Sequence, residues 1–339
     1  MKEEENKPSD DGFEPETQAE LELEKRILAA WSKDGGAHAL ILHGPDGLGK
    51  TAFARRLLSR HLRGLEAGTP CAIHPELLEL TPDEGKNSIG VDAVRAFSAP
   101  LRLTSAQARR GALVTPADAL GTQAANAMLK TLEEPPEGTR FILVAKSPAA
   151  LPATIRSRCV IERFPVPTEK DAAARIVKRL DVSPERAVAL ARMAENIPGR
   201  AIKLETEGGV QRHEALLSLL GRKNPFERSG MLKLAQEFGT AWPASGESIL
   251  LLIHRMAVRA AEPETFVFSS PAEREVIERL DPTREEAIVA WEIASKLRSD
   301  TDEASLDPKY APYRMLLAIE RGLSRQTTPS ARNQSNQGR

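Results

Sequence analysis

An eight-residue segment rich in glycine limits the fold of this chain more than any other part of the sequence. Its residues are Gly44, Pro45, Asp46, Gly47, Leu48, Gly49, Lys50 and Thr51. They fit the pattern G-x-x-x-x-G-K-[ST], in which successive backbone N–H groups point inward at phosphate oxygens. An apolar run ending at Leu42 precedes the segment, and a helical pattern over 52–61 follows it. The segment therefore predicts a strand, a phosphate-binding loop and a helix in succession.

This loop also predicts a ligand. In loops of this kind the lysine, here Lys50, reaches the β- and γ-phosphates, and the hydroxyl group of Thr51 binds Mg²⁺. We therefore expect ATP or ADP with Mg²⁺ at residues 44–51. The alternative for the same residues is a glycine-rich turn without a ligand, and the flanking strand and helix favour the phosphate loop.

The charge balance restricts the partners of the chain. Its 339 residues include 47 Lys and Arg against 48 Asp and Glu, a formal charge of −1. Such a balance argues against a strongly basic protein that binds nucleic acid by itself. The first twenty residues alone carry eight acids and two lysines, or −6, so the remainder carries +5. A modest phosphate-facing patch within a larger assembly is still compatible with these numbers.

Other features of the composition concern the cellular setting. The chain has two cysteines, no charged start followed by an apolar run, and no run of about 18 apolar residues. These features argue against a disulfide framework, a signal peptide and a membrane span. We expect a cytoplasmic protein.

The hydrophobic pattern divides the chain into an α/β part and a helical part. Short apolar runs alternate with amphipathic segments over 24–165, which indicates an α/β domain with a parallel sheet. The strand candidates are Ala39–Leu42, Ala112–Val114 and Phe141–Val144, and we expect no strand after Thr168. The predicted organisation is an acidic disordered tail (1–23), the P-loop domain (24–165), a small helical unit (166–206), a helical C-terminal domain (207–323) and a second disordered tail (324–339).

The residues that would complete a hydrolytic site are missing from their expected place. Phosphate loops that hydrolyse ATP need an acid at the end of a neighbouring strand to hold Mg²⁺, and often a second acid to orient water. The strand at 112–114 leads instead into Thr115 and Pro116. Asp118 lies further along, where we expect it to cap the next helix. The chain therefore looks able to hold a nucleotide but poorly equipped to cleave one.

Two further segments carry a family resemblance. They are Gln123–Pro136 (QAANAMLKTLEEPP) and Thr154–Cys159 (TIRSRC). Together with the loop, they resemble bacterial clamp-loader subunits of the AAA+ class, most closely the delta-prime type of DNA polymerase III. The resemblance covers about residues 24–205. It implies an AAA+ P-loop sheet, a helical lid at 166–206 and an all-α collar domain for oligomerisation at 207–323.

The resemblance also assigns roles to single residues. Arg158 would be an arginine finger that completes the ATP site of a neighbouring subunit, with Arg156 as the rival. Arg200 would be a second sensor near the γ-phosphate. Thr115 and Pro116 would occupy the positions of the family's Asp and Glu. The family's polar sensor would fall at Ala145 or Lys146, and neither side chain fits that role.

The family often carries a four-cysteine zinc module between the first helix of the P-loop unit and the second strand. In this chain that interval retains Cys71, with His74 three residues later. A structural zinc site needs four ligands, so we expect no metal site here. We expect Cys159, which follows Arg158, to face the core.

The resemblance implies a delta-prime-like subunit that helps load the sliding clamp onto primed DNA within the polymerase holoenzyme. It would be a non-hydrolysing stator, not a hydrolase alone, whose partners are gamma/tau-type and delta-type subunits, the clamp and primer–template DNA. Two alternatives stay open. One is an ATP-hydrolysing gamma/tau-like motor that uses Asp118, and the other is a free-standing P-loop nucleotide kinase.

Overall fold

The computed structural model describes residues 17–33, 36–101, 109–303 and 309–323. Their backbone contacts divide the chain into two compact units. The first unit extends to Arg175 and includes Asn196–Arg200, whereas the second comprises Ile176–Glu195 and the chain from Ala201 onward.

The first unit is built on a five-stranded parallel sheet. The strands are β1 (Ala39–His43), β2 (Leu78–Leu80), β3 (Arg110–Val114), β4 (Thr139–Ala145) and β5 (Val160–Arg163). Their order across the sheet is β2-β3-β4-β1-β5, and every neighbouring pair is parallel. The three predicted strands are confirmed as β1, β3 and β4, the central strands, whose residues are apolar because both faces of a parallel sheet are covered.

Helices cover the two faces of this sheet. They are α1 (Gln18–Trp31), α2 (Lys50–Arg63), α3 (Val91–Leu101), α4 (Thr122–Glu133) and the short α5 (Ala153–Arg156). Because side chains alternate along a strand, Ile41 lies in the core with α3 and α4, whereas Leu40 and Leu42 lie in the core with α1 and α2. The loops that connect the strands to the helices therefore lie at the two ends of the strands.

The second unit is helical throughout its described residues. Beyond α6 (Glu169–Arg179) and α8 (Pro198–Thr206), which cross the division, its helices are α7 (Pro184–Met193), α9 (Gly209–Leu220), α10 (Arg228–Gly239), α11 (Ala244–Ala261), α12 (Pro271–Leu280), α13 (Arg284–Glu303) and α14 (Ala311–Leu323). A separate apolar core joins α9–α14. None of the described helices is long and apolar enough to cross a membrane.

Several boundaries differ from those predicted. Helix α1 begins at Gln18, inside the predicted tail 1–23, because Thr17 caps it and Leu23 is buried against the sheet. The segment 166–206 is shared between the two units. The prediction of no strand after Thr168 is confirmed for the described residues. Most of the first predicted tail and all of 324–339 lie outside those residues.

A buried ion pair lies in each unit. In the first, the Arg60 guanidinium on α2 donates to the Glu24 carboxylate on α1 at 2.5 Å. In the second, the Arg255 guanidinium on α11 holds the Glu273 carboxylate on α12 through two hydrogen bonds of 2.5 and 2.8 Å. Removing one partner of such a pair leaves an uncompensated charge in the interior, which costs several kcal/mol.

Candidate functional site

The glycine-rich loop connects β1 to α2, as the sequence predicts. Gly47 and Gly49 have φ angles of +89° and +90°, a backbone conformation that glycine adopts without the strain of a Cβ atom. Helix α2 begins at Lys50, so its N-terminal N–H groups open onto the loop. A Cβ atom on Gly49 would meet nothing within 4 Å, so open space lies beside the loop at that point.

The Lys50 ammonium group is bound by the loop's own backbone. Its Nζ donates to the carbonyl oxygens of Gly44 and Pro45 at 2.6 and 2.7 Å and lies 3.9 Å from the Asp46 carboxylate. The side chain is 5% exposed, and this burial lowers the pKa of Lys50, against the opposing effect of the Asp46 charge. The lysine thus stabilises the loop's curvature.

Strand β3 ends at Val114, and the next residue, Thr115, faces Thr51. The two hydroxyl oxygens are 2.9 Å apart, within hydrogen-bond distance. Thr115 brings no negative charge, and Pro116 has no polar side chain. Thr51 therefore lies beside a hydroxyl group, at the place where a site that hydrolyses ATP needs an acid to bind Mg²⁺.

Asp118 does not cap a helix, which corrects the expectation drawn from the sequence. It lies in a 3₁₀ turn (Ala117–Ala119), and the residue that caps α4 is Gly121. One Asp118 oxygen accepts the backbone N–H of Lys146 at 2.8 Å, and its other oxygen, Oδ1, is buried without a hydrogen-bond partner among the described residues. Asp118 therefore ties the end of β3 to the end of β4, beside the loop.

The position expected for the polar sensor is structural. Ala145 is buried in the core, and its carbonyl oxygen accepts the N–H of Gly44. The Lys146 ammonium group forms an ion pair of 2.8 Å with Asp46 of the loop. These residues anchor the loop to β4 and supply no neutral polar side chain at the sensor position.

Two glycines bring the start of α8 against the loop. The Gly199 N–H donates to the Gly47 carbonyl oxygen at 2.9 Å. A Cβ atom on Gly199 would lie 2.6 Å from the Gly47 Cα, so the two backbones touch. Arg200 follows directly, which brings the predicted second sensor to the same edge of the sheet as the loop.

Substituting Gly199 by alanine is expected to separate these backbones. Because the added methyl group would overlap Gly47, we expect a loss of about 1–3 kcal/mol in the free energy of unfolding, measured by denaturant titration. Gly90→Ala is the matched control, since a Cβ atom there meets nothing within 4 Å. Equal stabilities for the two variants would contradict the close contact between Gly47 and Gly199.

Arg158 lies at the opposite end of the parallel strands from the phosphate loop. It precedes β5, and Val160 at the start of β5 pairs with Leu40 near the start of β1, whereas Gly44 follows the end of β1. The five residues of β1 separate the two ends of the strand by about 16 Å. Arg158 and the loop of the same chain therefore face different ends of the sheet.

Three acceptors hold the Arg158 guanidinium. Its Nη1 donates to the Thr154 carbonyl oxygen at 2.8 Å and to the Ser157 hydroxyl oxygen at 3.2 Å, and its Nη2 pairs with the Glu133 carboxylate. The rival, Arg156, donates to the Leu151 carbonyl oxygen of its own turn. No sequence pattern singles out Glu133, although it lies in the segment 123–136 that carries the family resemblance.

The two cysteines lie outside both the phosphate loop and the group of residues that binds the Arg158 guanidinium. Cys159 packs against the core, as predicted, and burial raises its pKa to about 12. Cys71 is half-buried. Within the described ranges, no three His, Cys, Asp or Glu side chains cluster as metal ligands.

The parallel sheet in the order β2-β3-β4-β1-β5, with the phosphate loop between β1 and α2, defines a P-loop fold of the α/β class. Residues 20–168 match the family described as "DNA polymerase III, delta subunit". Over this first part, the chain is similar to delta-prime subunits of DNA polymerase III.

The relatives come from several bacteria. The chain is 34% identical to subunit delta' of Escherichia coli K12 over 59% of this chain and 64% of that one. It is also 34% identical to subunit delta' of Pseudomonas aeruginosa over 47% of this chain and 54% of that one. Subunit tau of E. coli is 27% identical over 75% of this chain and 42% of its own length. The chain thus spans less than two thirds of the two delta-prime relatives.

Proposed function

We propose that this chain is a delta-prime-type subunit of a clamp loader that helps load the sliding clamp onto primed DNA. It acts as a stator that does not hydrolyse ATP and that donates Arg158 to the ATP site of a neighbouring gamma/tau-type subunit. The observation that carries the proposal is that Arg158 lies at the end of the parallel strands opposite the phosphate loop of the same chain.

That separation supports action on another subunit. Arg158 lies about 16 Å of strand away from its own loop, so it can reach a phosphate only across a subunit boundary. A planar, permanently charged guanidinium there stabilises the negative charge on the γ-phosphoryl group as it is transferred.

The loop itself fits a nucleotide's phosphates better than it fits hydrolysis. The glycine backbone of 44–51 and the N-terminus of α2 would hold the phosphates, with Lys50 turning from its carbonyl partners toward them. Bound Mg²⁺ would supply charge neutralisation, and Thr51 would hold it without the usual acid from β3. We propose that ATP or ADP, when bound, is a structural ligand, with Arg200 beside it.

One observation favours a second candidate, an ATP-hydrolysing loader motor. Asp118 has a buried carboxylate oxygen without a hydrogen-bond partner among the described residues, and its charge acts on Lys50. A carboxylate of this kind is a chemically suitable Mg²⁺ ligand. Thr115, which lies at the strand end nearest Thr51, argues against this candidate.

ATP hydrolysis by the isolated chain separates the two candidates. We expect no turnover above background from the purified chain, and the same result for Lys50→Ala and Asp118→Asn, because the partner of the Thr51 hydroxyl among the described residues is Thr115 and not an acid. The measurement is steady-state phosphate release at saturating ATP and Mg²⁺. Turnover that both substitutions abolish would establish the motor instead.

The second unit fits the part of a collar that joins subunits into a ring. Its described residues are helical, and α13 exposes the large apolar side chains of Ile288 and Trp291, which are 39% and 43% exposed. Exposed apolar side chains one helical turn apart are suited to contacts between subunits. We propose that 207–323 forms the collar, that 166–206 acts as the lid, and that the assembled subunits hold primer–template DNA together through phosphate contacts.

A further inference from the structure

We propose that Glu133 positions the Arg158 guanidinium for its neighbour, an inference that rests on the proposed function of Arg158. The two residues come from different elements, since Glu133 is the last residue of α4 and Arg158 follows α5. Their side chains form an ion pair between Arg158 Nη2 and Glu133 Oε1.

The described residues use only some of the N–H donors of Arg158. A guanidinium has five N–H donors. Thr154, Ser157 and Glu133 accept from Nη1 and Nη2, and they are the acceptors of this guanidinium among the described residues. Among the described residues nothing accepts from the Nε–H and one N–H of Nη2, and in the proposed role these donors bind an acceptor of the neighbouring subunit. Phosphate oxygens accept such paired N–H groups well.

Of the three acceptors, Glu133 alone belongs to a distant part of the fold. Thr154 and Ser157 lie within four residues of Arg158 and move with its own turn. Glu133, in contrast, ends a helix whose preceding residue, Leu132, is fully buried and is bound through its carbonyl oxygen to His38 Nε2 at 2.6 Å. Glu133 therefore connects the Arg158 guanidinium to the sheet.

This connection matters because a free arginine side chain samples many rotamers. If the Arg158 side chain became ordered only when the neighbouring nucleotide binds, the loss of its conformational entropy would weaken the contact and slow the reaction. A side chain that is ordered in advance avoids this cost. The Arg158 and Glu133 side chains are 34% and 47% exposed. An ion pair this exposed contributes little to fold stability, so removing it is expected to leave the chain folded.

The test uses the reconstituted loader with this chain as the full-length subunit. We expect Glu133→Ala to lower kcat for ATP hydrolysis about 3- to 10-fold at the site that Arg158 completes, with KM unchanged, the range expected for an unfixed long side chain. Glu133→Gln keeps a side-chain acceptor at the same reach and is expected to restore most of the rate. Glu134→Ala removes the adjacent exposed acid, which has no side-chain partner among the described residues, and is expected to change nothing.

A double-mutant cycle separates this inference from the proposed function. The Glu133→Ala/Arg158→Ala variant is expected to hydrolyse no more slowly than Arg158→Ala, because Glu133 acts only through Arg158. A normal or increased rate for Glu133→Ala, with Arg158→Ala still slow, would overturn the positioning role and leave the finger intact. A normal rate for Arg158→Ala would overturn both.

Discussion

Arg158→Ala in this chain is expected to slow ATP hydrolysis at the neighbouring site of the assembled loader by about 10³-fold or more. In the proposed role, the guanidinium stabilises charge that develops in the transition state, and alanine offers no substitute. Because the Arg158 side chain lies at the surface beside Glu133, the variant is expected to fold and to assemble normally. The measurement is single-turnover hydrolysis with ATP bound at that site.

Two substitutions control this prediction. Arg156→Ala removes an arginine two positions away that donates to the Leu151 carbonyl oxygen, so we expect an effect on the local turn and not on hydrolysis. Arg158→Lys keeps the charge but loses the planar pair of N–H donors, and is expected to recover little of the rate. A larger loss for Arg156→Ala than for Arg158→Ala would assign the finger to Arg156.

Glu273→Ala is expected to lower the free energy of unfolding by about 3–5 kcal/mol. The substitution leaves the Arg255 guanidinium, which is 2% exposed, buried without its carboxylate partner. It also removes the acceptor of the Ser269 N–H and hydroxyl groups at 2.6 and 2.9 Å. Denaturant titration measures the loss, and Glu278→Ala on the exposed face of α12 is the control. A loss below about 1 kcal/mol would contradict the account.

The same carboxylate predicts a pH dependence. Burial alone would raise the pKa of Glu273, but hydrogen bonds from Arg255 and Ser269 hold it well below its usual range. Its contribution to stability is therefore complete above the unfolded pKa of about 4.3 and is lost as the pH falls toward the lower folded value. We expect the stability difference between the wild type and Glu273→Gln to shrink below about pH 4.

The central strands were predictable because their apolar runs are uninterrupted. β2 (Leu-Glu-Leu) and β5 (Val-Ile-Glu-Arg) escaped prediction since they are short edge strands, and β5 is largely exposed. Helix α12 also has a local start signal, because Ser270 caps it and Pro271 occupies its first position. Local chemistry fixed those boundaries, so the sequence alone could indicate them.

The candidate site also has features that the local sequence predicts and features that it does not. The phosphate loop is a local backbone structure, which its glycines specify directly. The contact between Gly47 and Gly199, and the ion pair between Arg158 and Glu133, join residues far apart in the chain. Such contacts depend on how the helices pack on the sheet, so no single segment predicts them. Asp118 is the clearest case, because its partner Lys146 lies at the end of the next strand.

If the chain's own ATP site does not hydrolyse ATP while Arg158 serves a neighbouring subunit, substitutions at the two places must have different effects. Single-turnover ATP hydrolysis is compared in assembled loaders that carry the wild-type chain, Lys50→Ala or Arg158→Ala. We expect the loader with Lys50→Ala to hydrolyse ATP at the wild-type rate, and the loader with Arg158→Ala to be slow. A loader slowed by Lys50→Ala and unaffected by Arg158→Ala would contradict this expectation.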